Sequence, residues 1–248
     1  RTRSPPSTPI MNRVQRISRH VTAGANDSAT LQLCPTASMS GAAKADDDVV
    51  ICCAVRTAVA KAKRGNFKDT PCEDLLAPLF KEVVARTKVD PKKVGDVQIG
   101  NVLQPGAGAV TSRMAQMMGD WGYEAPLSSV NRQCSSGLQA VANIAASIKA
   151  GIIDVGLGGG VESMSMYSMG AGMDMKKMSP EIGNNEMAAA CLIPMGITSE
   201  NVAAKWNISR QTQDQLAVDS HKKAVAAQKQ KLFDSEIVPV TTTVKDKE

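Results

Sequence analysis

From residue 47 onward, the chain alternates between short continuous apolar runs and longer stretches in which apolar residues recur every three or four positions. The first pattern is typical of strands buried on both faces, and the second of amphipathic helices. The apolar runs predict strands at 47–55, 94–103, 126–133 and 152–164. The helical spacing predicts helices at 72–89, 112–122 and 135–151. Regular alternation of the two elements implies right-handed βαβ units around a mostly parallel sheet.

Two of the predicted helices carry further local signals. The helix at 72–89 follows Pro71 and has acidic residues in its first turn and basic ones toward its end, while Pro78 is expected to kink it. The helix at 135–151 is expected to pack one apolar face on the sheet and to end at Gly151. That face comprises Leu138, Val141, Ala142, Ala145 and Ile148.

The pattern changes after about residue 165. A segment rich in Met, Gly and Asn precedes two helical stretches at 196–207 and 209–230, the second with Ser209 as its expected N-cap. The chain then ends in a stretch with strand character. These changes place a boundary between an α/β domain at 46–165 and a less regular unit at 166–248.

The first 45 residues differ from everything that follows. They are rich in Ser, Thr, Pro, Ala and Arg and have no acidic residue before Asp27, so residues 1–45 are interpreted as a disordered targeting leader. The nonapeptide RVQRISRHV at 13–21 resembles the type 2 peroxisomal targeting signal, which an import receptor reads. The predicted location is the peroxisome or glyoxysome. An Arg-rich, acid-poor leader keeps the mitochondrion as the alternative.

Composition narrows the function classes. The 248 residues are 43% hydrophobic and only 3% aromatic, with a formal net charge of +5 and no long apolar stretch, which argues against membrane and nucleic-acid partners. Six cysteines and two histidines show no paired metal-ligand spacing, so no metal is expected. The glycines of GLGGG at 156–160 fail the spacing of a dinucleotide-binding loop and are expected to serve close backbone packing.

Cys134 is the candidate for chemistry, because it lies where a predicted strand meets a predicted helix. The N-terminal end of a helix carries unpaired backbone N–H groups and a positive dipole end, and both favour a thiolate over a thiol. Ser135, Ser136 and Gly137 are small enough to let a substrate carbonyl approach the sulfur. A buried cysteine acting as a small apolar residue fits the position equally well.

The segment VNRQCSSGLQAVANIAASI at 130–148 resembles the acyl-enzyme active-site signature of thiolases. Further segments similar to thiolases follow in family order, at 56–70, 100–109, 158–165, 191–203 and 236–244. The resemblance covers residues 47–248 and is strongest to the peroxisomal 3-ketoacyl-CoA branch of the family. It favours the catalytic interpretation of Cys134 over the structural one.

The resemblance implies an α/β thiolase-like fold: an N-terminal βαβαβαββ half at 46–165, an inserted and truncated loop domain at 166–248, and no C-terminal half. It implies an acyltransferase of fatty-acid β-oxidation that cleaves 3-ketoacyl-CoA with CoA, using coenzyme A as substrate and no cofactor. Cys134 would be the nucleophile. Met195 falls where the loop domain lines the acyl pocket, although ordinary packing explains a methionine there equally well. The family also implies a homodimer.

The chain departs from the family in its other catalytic motifs. Thiolases carry a His in Gly-His-Pro, a second Cys in Cys-x-Gly and an Asn in Asn-Glu-Ala-Phe, and none of these motifs occurs here. His221, Lys222 and Lys223 lie in a polar helical stretch and are interpreted as a solvated surface. Two hypotheses therefore remain: a thiolase, or a truncated, catalytically inactive thiolase-like chain that acts only as a subunit or interaction partner.

Overall fold

A computed structural model describes residues 48–170 and 175–244. The predicted leader at 1–45, with its targeting nonapeptide at 13–21, lies outside the described residues. The α/β class is confirmed by three parallel strands in the order β2-β1-β3, with helices between them along the chain. The strands are β1 Asp96–Gly100, β2 Leu127–Val130 and β3 Gly156–Gly160.

Six α-helices accompany the sheet in the described ranges. They are α1 Cys72–Thr87, α2 Ala109–Met118, α3 Ser136–Lys149, α4 Glu186–Ala190, α5 Met195–Lys205 and α6 Arg210–Lys229. Short 3₁₀ helices lie at Pro91–Lys93, Pro105–Gly108, Met175–Lys177 and Pro180–Asn184. The proposed domain boundary near residue 165 stays a prediction.

The two faces of β1 bury different kinds of side chain, because successive residues of a strand point to opposite sides. Val97 and Ile99 are fully buried and join Phe80 of α1 and Ala115 of α2 in one apolar cluster. Gln98 points the other way and accepts a hydrogen bond from Asn143 of α3. The sheet therefore lies between α1 and α2 on one face and α3 on the other.

The predicted strand at 47–55 is wrong for the described part of this run. Residues 48–55 form no ladder, and Val50 and Ile51 are 72% and 78% exposed. Pairing begins only at Arg56, which bridges to Ile237, and the strand character of 236–244 likewise amounts to this one bridge. A run that is apolar on both faces is stable as a strand only when neighbouring elements cover both faces. The described residues supply a single bridge and no such cover.

The predicted contact face of α3 is wrong at three of its five positions, Leu138, Val141 and Ala142, which are exposed, whereas Ala145 and Ile148 are half-buried. Leu138 and Val141 are 73% and 37% exposed, whereas Ser136, Ala140 and Ile144 are buried. The reason lies in the sheet, where Gly100, Gly156, Gly158 and Gly160 face the helix and bring its backbone close. A helix that packs this closely puts its smaller residues in contact and turns several larger ones outward. The glycines thus provide the close backbone packing expected of them.

The predicted helix-end signals at Ser209 and Gly151 are confirmed, whereas the kink expected at Pro78 stays a prediction, because α1 is assigned as one continuous helix through that residue. Ser209 caps α6 by accepting a hydrogen bond from the Thr212 N–H at 3.2 Å. Gly151 lies one residue past the C-cap of α3 with a φ of 71°, the left-handed conformation that ends helices. Helix α2 differs from its predicted bounds of 112–122, because it begins three residues earlier and ends at Met118. Trp121 therefore lies beyond the helix, where its side chain is buried in the core.

Candidate functional site

Cys134 lies in a tight turn between the end of β2 and the start of α3. The side chain is exposed and comes two residues before Ser136, the first residue of the helix. The preceding Gln133 has a φ of 50°, in the left-handed region that costs a non-glycine residue about 1–2 kcal/mol. The thiol is therefore presented to solvent above a helix N-terminus by a strained turn, as the sequence predicted for its position.

Side-chain hydrogen bonds hold the turn in this shape. The Asn131 Oδ1 accepts from the Gln133 N–H at 3.0 Å, and the Ser135 hydroxyl donates to the Arg132 carbonyl at 2.8 Å. The Ser136 hydroxyl accepts from the Arg132 N–H at 2.9 Å and donates to the Gln133 carbonyl at 2.5 Å. Ser136 is only 3% exposed, so its hydroxyl stabilises the turn from the buried side. The sequence indicated Ser136 only as a small residue that leaves room for a substrate carbonyl near the sulfur.

A second group of polar residues joins the turn to the ends of the neighbouring strands. The Glu162 carboxylate, just after β3, accepts from the Val102 N–H at 2.9 Å and from the Asn101 side-chain amide at 3.2 Å. The Asn131 side-chain amide donates to the Val102 carbonyl at 3.1 Å. The carboxyl ends of β1, β2 and β3 are therefore connected at one edge of the sheet, where parallel α/β folds place their ligands. Polar residues following successive strands are the sequence signal that would have identified this group.

The remaining predicted site residues are on the surface. Met195 is the first residue of α5 and is 60% exposed, and its role in acyl binding stays a prediction. His221, the one histidine among residues 48–170 and 175–244, is exposed on α6 together with Lys222 and Lys223. Their side chains occupy a solvated helix face, as the polar pattern indicated. In the ranges that the structure describes, none of these residues is hydrogen-bonded to the turn that carries Cys134.

Cys72 differs from Cys134 in that its thiol is buried. It opens α1, is 1% exposed and has a thiol pKa raised to about 12, chiefly by burial. The negative charges of Glu162 and Glu73 raise this pKa further, and the Ser163 backbone N–H lowers it. The native protein therefore keeps Cys72 as a neutral thiol at any physiological pH.

We expect iodoacetamide to label Cys134 roughly a hundredfold faster than Cys72 at pH 8, because only a thiolate at an accessible site reacts. Peptide mass spectrometry of timed samples measures both rates.

Since burial raises the pKa of folded Cys72 above that of the unfolded chain, this thiol contributes stability below about pH 8.5 that is lost as pH rises toward 12. Equal labelling of the two thiols in the folded chain would contradict both expectations.

Two structural classes of site find no support in the described ranges. No group of three or more His, Cys, Asp and Glu side chains there is arranged to hold a metal ion. None of the helices over those same ranges combines the length and apolar character needed to cross a bilayer.

Comparison with known proteins identifies relatives of the same architecture. Residues 49–248 match the family profile described as thiolase, N-terminal domain. The peroxisomal 3-ketoacyl-CoA thiolase B of Rattus norvegicus is 47% identical over 236 residues, which is 95% of this chain and 55% of the rat protein. The peroxisomal 3-ketoacyl CoA thiolase 1 of Petunia hybrida is 46% identical over 232 residues, 92% of this chain and 50% of the petunia protein.

A solved structure agrees with these sequence matches. The crystal structure of the dimeric peroxisomal thiolase of Saccharomyces cerevisiae superposes with a TM-score of 0.75 at 43% identity. The superposition covers 81% of this chain and 52% of the yeast chain. The chain thus spans about half the length of the curated relatives it matches.

Proposed function

The chain belongs to the thiolase family through its N-terminal domain, and from that membership we propose that it serves 3-ketoacyl-CoA thiolysis in fatty-acid β-oxidation. The products are acetyl-CoA and an acyl-CoA two carbons shorter. The observation that carries the proposal is Cys134, exposed between β2 and α3 within the segment that resembles the family's acyl-enzyme signature.

The chemistry assigns one covalent step to Cys134. Its thiolate adds to the C3 carbonyl of the 3-ketoacyl-CoA, the C2–C3 bond breaks, and the released carbanion takes a proton to become acetyl-CoA. The acyl group stays on sulfur as a thioester until the thiol of free CoA displaces it and restores the cysteine. Splitting the cleavage in this way replaces one difficult step by two easier ones.

The helix N-terminus and the small residues around the sulfur supply part of what this step needs. They present the sulfur to solvent and leave room for the substrate carbonyl. A base for the thiol and an acid for the leaving carbanion are also required. The family carries them in the Gly-His-Pro and Cys-x-Gly motifs, which do not occur in these residues, so turnover depends on groups supplied from outside residues 1–248.

We propose the peroxisome as the location. The rat and petunia relatives are named peroxisomal, and the nonapeptide at 13–21 has the residues of an import signal that a receptor reads.

We also propose a homodimer. The yeast relative is dimeric, and β2 is an edge strand whose one hydrogen-bonded neighbour in the described residues is β1. Next to β2, helix α2 exposes Val110, Met114 and Met117, which recur on one face of the helix. An exposed strand edge beside an apolar helix stripe is a surface that a second copy can cover.

The acyl-enzyme is the species that tests the function. We expect peptide mass spectrometry to detect an acyl adduct on the peptide containing Cys134 after incubation with a medium-chain 3-ketoacyl-CoA, and its loss when CoA is added. The reaction is run with this chain alone and with the C-terminal half of the rat relative supplied as a separate polypeptide. Absence of the adduct under both conditions would overturn the enzymatic proposal in favour of the inactive-subunit alternative.

A further inference from the structure

We propose that Asn131 and Glu162 are positioning residues for Cys134. They hold the turn that carries the thiol through one chain of hydrogen bonds, which runs from the end of β3 through the backbone of Val102 to the turn after β2. The proposal rests on the proposed role of Cys134 as the nucleophile.

Asn131 contacts both sides of this connection with one side chain. Its Oδ1 accepts from the Gln133 N–H at 3.0 Å, and its Nδ2 donates to the Val102 carbonyl at 3.1 Å. Only an amide offers an acceptor and a donor on one short planar group, so neither Asp nor Ser reproduces both bonds. Asn131 therefore ties the residue before Cys134 to the loop that follows β1.

The bond to Gln133 matters because that residue is strained. Its φ of 50° is a conformation that an L side chain adopts only when its surroundings impose it. The Asn131 Oδ1 and the Ser136 hydroxyl are the side-chain groups bound to the Gln133 backbone on its two sides. Loss of the Asn131 bond lets Gln133 relax, and the relaxation displaces Cys134 from the N-terminus of α3.

Glu162 fixes the other end of the chain. Its two carboxylate oxygens accept from the Val102 N–H at 2.9 Å and from the Asn101 side-chain amide at 3.2 Å. Hydrogen bonds to an ionised carboxylate are about twice as strong as neutral ones. Asn101 is 1% exposed and also binds the Val161 carbonyl and the Gln104 N–H, so this end is anchored in buried structure. Val102 is thus held by Glu162, just after β3, through its N–H and by Asn131 through its carbonyl.

Charge and positioning predict opposite results for Glu162. Removing a negative charge from the edge of the sheet that carries a thiol would favour the thiolate and speed its alkylation. Loosening the turn takes the sulfur away from the helix N-terminus and slows it. The direction of the change therefore separates the two roles.

The test is the rate at which iodoacetamide alkylates Cys134 at pH 7 and pH 9 in Asn131→Leu and Glu162→Gln, which are near-isosteric and add no charge; Asn131→Leu removes both hydrogen bonds of the amide. We expect the ratio of the pH 7 rate to the pH 9 rate to fall about twofold to fivefold in each variant. Asn184→Leu and Glu82→Gln are matched controls, since these residues bind Glu181 and Arg86 and not the turn, and their ratio should stay at the wild-type value. Cys72 reports folding in the same sample by remaining unlabelled, because burial, the largest cause of its raised pKa, persists in Glu162→Gln although the charge of Glu162 is removed.

An unchanged ratio in both variants overturns the proposal, as does faster alkylation in Glu162→Gln. Labelling of Cys72 together with Cys134 would assign the two residues to folding rather than to positioning, and also overturns it. The proposed function fails separately, because it depends on the acyl adduct of the wild-type chain and not on these rates.

Discussion

Cys134→Ser is expected to lower acyl transfer by at least about a thousandfold in any polypeptide or complex in which residues 1–248 sustain turnover. Serine has nearly the shape of cysteine, so the turn between β2 and α3 should keep its hydrogen bonds, none of which uses the sulfur. The hydroxyl, however, ionises far less readily than a thiol and attacks a carbonyl only with a strong base beside it. Release of acetyl-CoA from 3-ketoacyl-CoA measures the loss.

Cys191→Ser is the matched control for this experiment. Cys191 is also exposed, and its sulfur lies 3.7 Å from the Met187 carbonyl, one turn back at the end of α4. We expect its substitution to leave the rate within about twofold of wild type, since an exposed substitution that breaks no buried contact has a small effect. If Cys134→Ser retained the acyl adduct or the Cys191 variant lost it, the nucleophile would have been assigned to the wrong thiol.

The elements with local signals were predictable from the sequence. Helix α1 is set by its own period and terminal charges, and β1 by an apolar run with polar ends. The run at 47–55 carried an equally clear signal, yet a strand needs hydrogen-bonding neighbours that the sequence does not name. In the described residues that neighbour is Ile237, 181 positions beyond Arg56, and it supplies only one bridge. The local pattern therefore predicts that a segment favours an extended conformation, but not which segment it pairs with.

The site was predictable in the same uneven way. Cys134 lies at a junction that sequence can locate, because both the strand before it and the helix after it have local signals. Its connection to Glu162 depends on the strand order β2-β1-β3, which brings together residues 29 and 60 positions apart. The prediction of the contact face of α3 was partly wrong for a related reason. The glycines opposite the helix, and not its own large residues, decide how closely it packs on the sheet.

Gly100→Ala is expected to destabilise the fold by about 3 kcal/mol or more, near the upper end of what overpacking costs. A Cβ on Gly100 would lie 2.4 Å from the Ser136 carbonyl carbon and 2.5 Å from both the Ser136 oxygen and the Gly137 nitrogen. All three are backbone atoms of the first turn of α3, so no side-chain rotation can relieve the contact. Urea unfolding followed by circular dichroism measures the change in the free energy of unfolding.

Gly196→Ala is the matched control, because a Cβ there meets nothing within 4 Å and the residue lies inside α5. Alanine is a better helix former than glycine, so we expect this variant to be unchanged or more stable by up to about 1 kcal/mol. The strand end at Gly100 lies directly under the helix turn that follows Cys134, and the same methyl group that lowers stability should therefore slow alkylation of that thiol. If Gly100→Ala matched wild type in both measurements, α3 would not rest on β1 at this distance, and the sheet could not be what fixes the position of the nucleophile.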